Sequence, residues 1–417
     1  MSILHIEVPS FTSIHEVDSF IAQSLDIQLD EDGVDVKRLE GRFWNESVLY
    51  RRLRLLKQIY GQNPAVDKRF DSNRQANLRR INENRDTIPR DSHMENGSHI
   101  RIHAQAFEYG FSAINNANSR CFGGGRIVRF LDLGCSPGGF SSWLLKNNPG
   151  VEGVGITLPD ERSQFPLQID PAFLTIGKYQ VRYADIIDIV SVSPGDGALP
   201  IIESKHGLRQ PYDLVIAGAF PTMQDSTPWG YRTQLLVAQI FLIIANTAPG
   251  GSAIVLIKTI PVLLHLDIIG LLRQAFDSIS AHKAGKLHAV RSSCYLVCRG
   301  FHASAEEIER MAGKLRYALQ WLGEKALAMS SETGGSSTAG YNFLLSADSP
   351  EQVFDTNDRF VINLLRPVWK SQYDAIRADL AKVLVAEYGA TADSVATPSG
   401  TDEPKQRWVR TKRDKRV

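Results

Sequence analysis

Cysteine is scarce in this chain, and its absence from patterned positions excludes several chemistries at once. Only Cys121, Cys135, Cys294 and Cys298 occur in 417 residues, and no two form a C-x-x-C pair. A zinc knuckle and a dithiol redox motif are therefore not expected, and so few thiols suit a reducing compartment. Long apolar runs are missing as well. Leu235–Ala248 and Ala253–Leu272 are broken by Gln239, Asn246, Lys258, His265 and Asp267, short of the roughly 18–20 apolar residues that a membrane span needs. The first twenty residues lack a basic stretch followed by an apolar one, so no secretory leader is expected. These absences lead us to expect an intracellular protein of cytoplasm or nucleus, without a membrane partner. Net charge is only +1, which by itself argues for no polyanionic partner. No internal repeat is visible.

What the chain does contain is unevenly spread. The 43% hydrophobic and 22% charged content is that of an ordinary globular protein. Lys37–Arg101 holds 15 Lys and Arg against 8 Asp and Glu, a local balance of +7. Within it, Leu49, Leu53, Leu56 and Tyr60 recur at helical spacing, which suits either a solvated amphipathic helix packed on a core or a basic face for RNA phosphate. The segment Lys405–Val417 has seven Lys and Arg and one Asp, a balance of +6. Such a tail is either solvated chain or a nucleic-acid or import signal.

Between these ends the pattern changes. Over 126–301, apolar β-branched runs alternate with helical ones. Strands are expected at Ile127–Leu133, Val151–Thr157, Gln180–Ala184, Asp213–Ala217 and Ser252–Lys258, and helices near 138–147, 230–247 and 261–276. That alternation gives an α/β fold, a mainly parallel sheet covered on both faces. Asp277–Ala281 and Ser293–Phe301 would close the sheet, the last a candidate antiparallel strand. Helical patterns return at Ala305–Met329 and 350–388, separated by a Gly/Ser linker at 330–340. We therefore expect four parts: a charged, mainly helical extension over 1–104, a ligand-binding domain over 105–301, a helical region over 302–404 and a basic tail over 405–417.

The chemistry concentrates in Asp132-Leu-Gly-Cys-Ser-Pro-Gly-Gly-Phe-Ser141, where the first strand turns into a helix. Open α/β sheets bind ligands at such carboxyl-edge turns. Glycine lets the backbone approach a ligand closely, and helix N-terminal N–H groups favour an anionic end. A dinucleotide site is disfavoured because the glycines are spaced G-x-x-x-G-G rather than G-x-G-x-x-G. Gly134-Cys-Ser136-Pro-Gly138 formally matches the hydrolase elbow G-x-S-x-G, but the residue that must supply an oxyanion N–H is Pro137, which has none.

This motif, with the elements that follow it in order, closely resembles the first cofactor motif of the FtsJ-like (RrmJ-like) ribosomal RNA 2′-O-methyltransferases, over about residues 105–301. The resemblance implies a Rossmann-like S-adenosylmethionine (SAM)-dependent methyltransferase sheet with helical extensions, and SAM (S-adenosyl-L-methionine) as cofactor. It places Asp132, Gly134, Cys135, Ser136, Pro137, Gly138, Gly139 and Phe140 around the methionine part. At the ribose, where relatives carry an acid, the direct match is Thr157, with Asp160 the substitute acceptor and Glu161 beside it. Asp185 matches the acceptor of the adenine amino group, although an aspartate there also serves as a helix N-cap. Trp143 reads as core.

FtsJ-like enzymes use a Lys-Asp-Lys-Glu tetrad, in which a lysine and its acids assist removal of a ribose proton. Lys258, ending Ile254-Val-Leu-Ile-Lys, matches the central lysine. Gly218 stands where the aspartate should be, a pocket-lining position, while Asp213 lies at the wrong end of that strand. Ser293 stands near the glutamate, and no lysine occurs near Phe111. Acid–base assistance is worth roughly 10²–10⁴-fold, whereas alignment alone supplies about 7–11 kcal/mol. The gaps therefore bear on RNA methylation more than on SAM binding. Three functions follow: a methyltransferase of an RNA ribose hydroxyl using the basic segments 37–101 and 405–417, a small-molecule O-methyltransferase, or a catalytically silent SAM- or RNA-binding protein.

Overall fold

The computed structural model describes residues 7–27, 35–72, 97–159, 162–163, 165–191, 198–203, 212–221, 230–285, 288–331 and 342–389. Asp160, Glu161, the linker at 332–340 and the tail at 405–417 lie outside the described residues.

Seven strands form one sheet: β1 (Arg129–Leu133), β2 (Glu152–Thr157), β3 (Tyr179–Tyr183), β4 (Tyr212–Ala217), β5 (Thr247–Lys258), β6 (Phe276–His282) and β7 (Ser293–Phe301). Their order is β3-β2-β1-β4-β5-β7-β6. The first five run parallel, while β7 is antiparallel to both of its neighbours. The expected strands are thus present with ends displaced by a residue or two, except that β5 begins earlier, at Thr247. Their near-continuous apolar runs follow from burial on both faces. Leu131, Val215, Val255 and Leu296 enter one apolar cluster, and Phe130, Leu214, Ile254, Tyr295 and Val297 enter the other.

The smaller cluster is covered by α5 (Gly97–Ala117) and α6 (Gly139–Asn147), through Phe111, Phe140 and Trp143. Trp143 is core, as its helical position implies. The larger lies under α8 (Ile186–Ser191), α9 (Tyr231–Asn246), α10 (Leu263–Ala275), α11 (Ala305–Ser331) and α12 (Pro350–Tyr388). It continues without a break into α1 (Ile14–Gln23), α2 (Asp35–Glu46) and α3 (Val48–Gln62), followed by α4 over 64–72. A short α7 (Pro171–Thr175) links β2 to β3. Caps set several of these helices. Ser13 and Glu16 form a reciprocal box at α1, Ser47 accepts the Tyr50 N–H at α3, and Ser349 precedes Pro350 at α12.

The amphipathic stripe of α3 packs inward. Tyr50 and Phe43 meet Trp369 of α12 with ring centroids 5.1 and 6.0 Å apart. The cations around that stripe are paired with the chain itself: Arg54 with Glu40, Arg42 with Asp358, Arg69 with Asp379 and Lys68 with Glu387. Val48–Tyr60 is therefore a helix packed on the core, with Tyr50, Leu53, Leu55, Leu56 and Ile59 buried. No described helix is long and apolar enough to cross a membrane.

Candidate active site

Strand order reverses at β1, whose neighbours β2 and β4 are reached by connections running to opposite sides. The carboxyl ends of β1 and β4 therefore bound the crevice at which open α/β sheets bind ligands. The chain leaves β1 through the glycine turn. Gly134 has φ +82° and Gly138 φ +101°, a region that other residues rarely adopt. Neighbouring chain also demands the glycines. A Cβ on Gly134 would lie 2.5 Å from Ala219 Cα, one on Gly138 2.9 Å from Ile169 Cδ1, and one on Gly139 2.3 Å from the Ala104 carbonyl oxygen. The turn thus sits close under α5 on one side and the stretch before α7 on the other, where the Gln168 N–H donates to the Pro137 carbonyl at 2.9 Å. Gly134 and Ser136 remain half-exposed, while Cys135, Pro137, Gly138, Gly139 and Phe140 are buried.

Asp132 faces inward rather than toward the crevice. It is 3% exposed and accepts the Ser141 hydroxyl at 2.6 Å; that hydroxyl also lies 2.8 Å from the Tyr179 hydroxyl. Burial pushes the Asp132 carboxyl up to about 6, with the Ser141 bond opposing the shift. The group joins β1, α6 and β3 beneath the turn. Cys135 is buried beside it, its thiol pushed far up by desolvation.

At the ends of β2 and β3, Thr157 donates its hydroxyl to Ser136 Oγ at 3.0 Å, so this residue holds the turn. Asp185 serves as the helix cap that an aspartate there also suits. One carboxylate oxygen receives the Ile187 N–H at 3.0 Å, capping α8, and the other pairs with Arg162 at 3.2 Å. Its side chain keeps 9% exposure at the crevice edge.

Across the crevice, Gly218 follows β4 and donates its N–H to the Leu133 carbonyl at 3.0 Å. Nothing lies nearer than 3.9 Å to a Cβ built there. Ala219, next to it, is clamped by Gln239, which accepts the Ala219 N–H at 2.9 Å and donates to its carbonyl at 3.1 Å. Phe220 is 47% exposed beyond it. Asp213 sits at the opposite edge of the sheet, where it receives the Val128 and Arg129 N–H groups. Lys258 ends β5 with an exposed side chain, and the antiparallel register sets it directly opposite Ser293. The matches to the second lysine and the glutamate therefore meet in space. Lys283 secures the neighbouring loop, its ammonium donating to the carbonyls of His288 and Ser293 at 2.9 and 2.8 Å; burial lowers it to about 8.

Sequence reasoning missed Tyr179, Gln239 and His288, and, although Ser141 closes the motif, its bond to Asp132. Gln239 alone carried a signal, as a polar residue interrupting the apolar helix α9; the others stand in unremarkable surroundings.

The residues present fit a sulfonium nucleoside carrying an amino acid. Helix α6 starts at Gly138 with no side-chain cap, leaving its first N–H groups for a carboxylate. Gly218 leaves open space beside it, and Asp185 offers an acceptor at the far end. An open sheet of this order, with a glycine turn at its switch point, defines the fold of the SAM-dependent methyltransferases. Residues 110–301 match the FtsJ-like methyltransferase family model. They are an FtsJ-like methyltransferase domain; this family uses SAM, and the chain is a SAM-dependent methyltransferase.

Among solved structures, the chain is similar to a protein assigned as a ribosomal RNA methyltransferase from Plasmodium falciparum. The identity is 16%, covering 47% of this chain and 97% of that one, with a TM-score of 0.31. It is also similar to human methyltransferase-like protein 13 in complex with SAH, at 17% identity, 57% and 96% coverage and a TM-score of 0.29. No curated protein matches the chain. At these scores the neighbours assign no residue of the site.

Proposed function

We propose that the domain transfers the methyl group of SAM to an RNA ribose hydroxyl. The observation that carries this reading is Lys258, an exposed ammonium at the carboxyl end of β5, in register with Ser293. When bound, SAM supplies an electrophilic methyl on a sulfonium. The chain's own residues do the rest. The α6 N-terminus, the Gly134–Gly139 turn and Gly218 would hold the methionine part, and Asp185 the adenine. Asp160 and Thr157 are the candidates at the ribose. Lys258 orients the hydroxyl and stabilises the negative charge it gains as its proton leaves.

The test is incubation of the full chain with methyl-labelled SAM and total RNA, followed by nucleoside analysis. We expect 2′-O-methylated nucleosides with wild type and their loss with Lys258→Ala. Label confined to small molecules would reject RNA as acceptor, and SAM binding without any transfer would favour a silent protein. One observation favours a small-molecule acceptor as the second reading: four cations of the N-terminal extension are spent on ion pairs within the chain.

A further inference from the structure

Four cations gather where β7 begins. Lys57 of α3 donates to Ser292 Oγ at 2.6 Å. Lys283 donates to the carbonyls of His288, Arg291 and Ser293. Arg291 and Ser292 are exposed, and Lys258, also exposed, stands opposite Ser293 in the β5–β7 register. On the β5 side, the Thr259 N–H donates to the Ser292 carbonyl at 3.1 Å. The group adjoins the crevice through β5, whose Val255 pairs with Ala217 just before Gly218, three residues ahead of Lys258. The loop is also fixed from behind, where Gln372 of α12 donates to the carbonyls of Val290 and Arg291 at 3.2 and 2.9 Å. Its carbonyls are thus engaged inward, while the Arg291 and Ser292 side chains are left at the surface.

These charges crowd one another without an acid to offset them. Among the described residues, no carboxylate pairs with Lys57, Lys258, Lys283 or Arg291. Desolvation and then the Arg54 charge lower Lys57 to about 8. Desolvation lowers Lys283 to about 8 as well, with the Cys294 thiol opposing the shift and Lys57 adding to it. Partly buried charges are ordinarily paired, so a bound anion would relieve both ammonium groups. The donors are in place for one. Lys283 has spent its three hydrogens on carbonyls and contributes charge alone, whereas Lys57 keeps two. Ser292 Oγ accepts from Lys57, which leaves the hydroxyl hydrogen to donate, and Arg291 presents the planar fork that suits a phosphate. In an RNA strand each ribose 2′-hydroxyl has a phosphodiester on the neighbouring carbon. An acceptor hydroxyl at Lys258 therefore brings such an anion with it.

We propose that Lys57, Arg291 and Ser292 form a docking site for the phosphodiester beside the reacting ribose of an RNA acceptor, a role that rests on the reading of Lys258 above. The N-terminal extension, which lies outside the matched family domain, thereby takes part in holding the acceptor. Lys57 acts on binding and not on the chemical step, which sets it apart from Lys258.

The experiment uses the full chain as wild type, Lys57→Met, Lys57→Arg and Arg291→Met. Each is titrated with a fluorescent single-stranded oligoribonucleotide of mixed sequence over a range of salt concentrations, and methyl transfer to it from labelled SAM is followed in parallel. We expect weaker binding in both Met variants, with the log–log salt slope smaller by about 0.7, the value for one phosphate contact on a single strand. Lys57→Arg should restore the slope. KM for the oligonucleotide should rise in the Met variants at unchanged kcat, with SAM affinity at the wild-type value. An unchanged slope in both Met variants overturns the proposal, and label still entering the RNA then leaves the methyltransferase reading standing. Uridine monophosphate bound as tightly as the oligonucleotide overturns RNA as the source of the phosphate. A Lys57-dependent slope without any methyl transfer by wild type keeps the phosphate site and overturns the reading of the reaction.

Discussion

Lys258 depresses the ionisation of His265 even though the two lie on different elements, the end of β5 and the first turn of α10. His265 is buried, its Nδ1 receives the Val262 N–H at 3.2 Å, and its pKa falls to about 4, first through desolvation and then through the Lys258 charge. The ammonium thus acts on a buried group of the interior. Removing it in Lys258→Met should raise the His265 pKa, because a like charge no longer opposes protonation. Histidine NMR titration checks this; an unmoved His265 would mean that the Lys258 ammonium lies away from this edge.

Asp132 sets a pH dependence of stability whose sign is fixed by its raised pKa. The folded state favours the protonated acid, so its contribution is full below about pH 4 and is lost as pH rises toward about 6. Asp132→Asn cannot ionise and should escape that loss. Relative to wild type it should gain on the order of 1–3 kcal/mol between pH 4 and pH 7. Denaturant unfolding at the two pH values reads this directly, and a constant difference between the proteins would contradict it.

Two glycines at the crevice should respond oppositely to alanine. Gly139→Ala drives a methyl against the Ala104 carbonyl and Phe107, which should cost about 1–3 kcal/mol of stability as α5 and α6 separate. Gly218→Ala meets open space and should cost less than about 0.5 kcal/mol, yet it narrows the mouth and should weaken SAM binding. Melting and calorimetric titration of both variants separate the effects. Equal SAM affinity in Gly218→Ala and wild type would remove Gly218 from the pocket.

The helical extensions brace the strand end that bears Lys258. Trp369 of α12 donates its indole N–H to the Thr259 carbonyl at 2.6 Å, and Lys57 of α3 reaches Ser292 Oγ at 2.6 Å. Trp369→Phe should keep the fold at a cost of about 0.5–1.5 kcal/mol for the lost bond while lowering methyl transfer. Trp369→Ala should cost about 3–5 kcal/mol. Unchanged transfer in Trp369→Phe would make this contact merely structural.

Sheet, motif and their order were legible in the sequence because strands buried on both faces leave unbroken apolar runs, and because the glycine turn must be local. Lys258 was legible for the same reason, as a charge ending an apolar run. Other features were not. The insertion of β7 between β5 and β6 is a matter of pairing that no local pattern encodes. Helix α5 escaped notice because its apolar positions, Phe107, Phe111 and Ile114, lie among small and polar residues. The inward turn of Asp132 toward Ser141 depends on Tyr179, 47 residues later in the chain. Asp185 invited two readings, capping and ligand contact; one oxygen caps α8 and the other pairs with Arg162. The basic character of 37–101 concealed its partners, since Asp358, Asp379 and Glu387 lie some 300 residues away.

Calorimetric titration of the full chain with SAM and with its demethylated product tests the central claim most directly. Saturable one-site binding tighter than about 1 mM, a free energy beyond about −4 kcal/mol, and weakened in Asp185→Ala, is the predicted result. A folded protein that takes up neither compound at millimolar concentration would contradict the account.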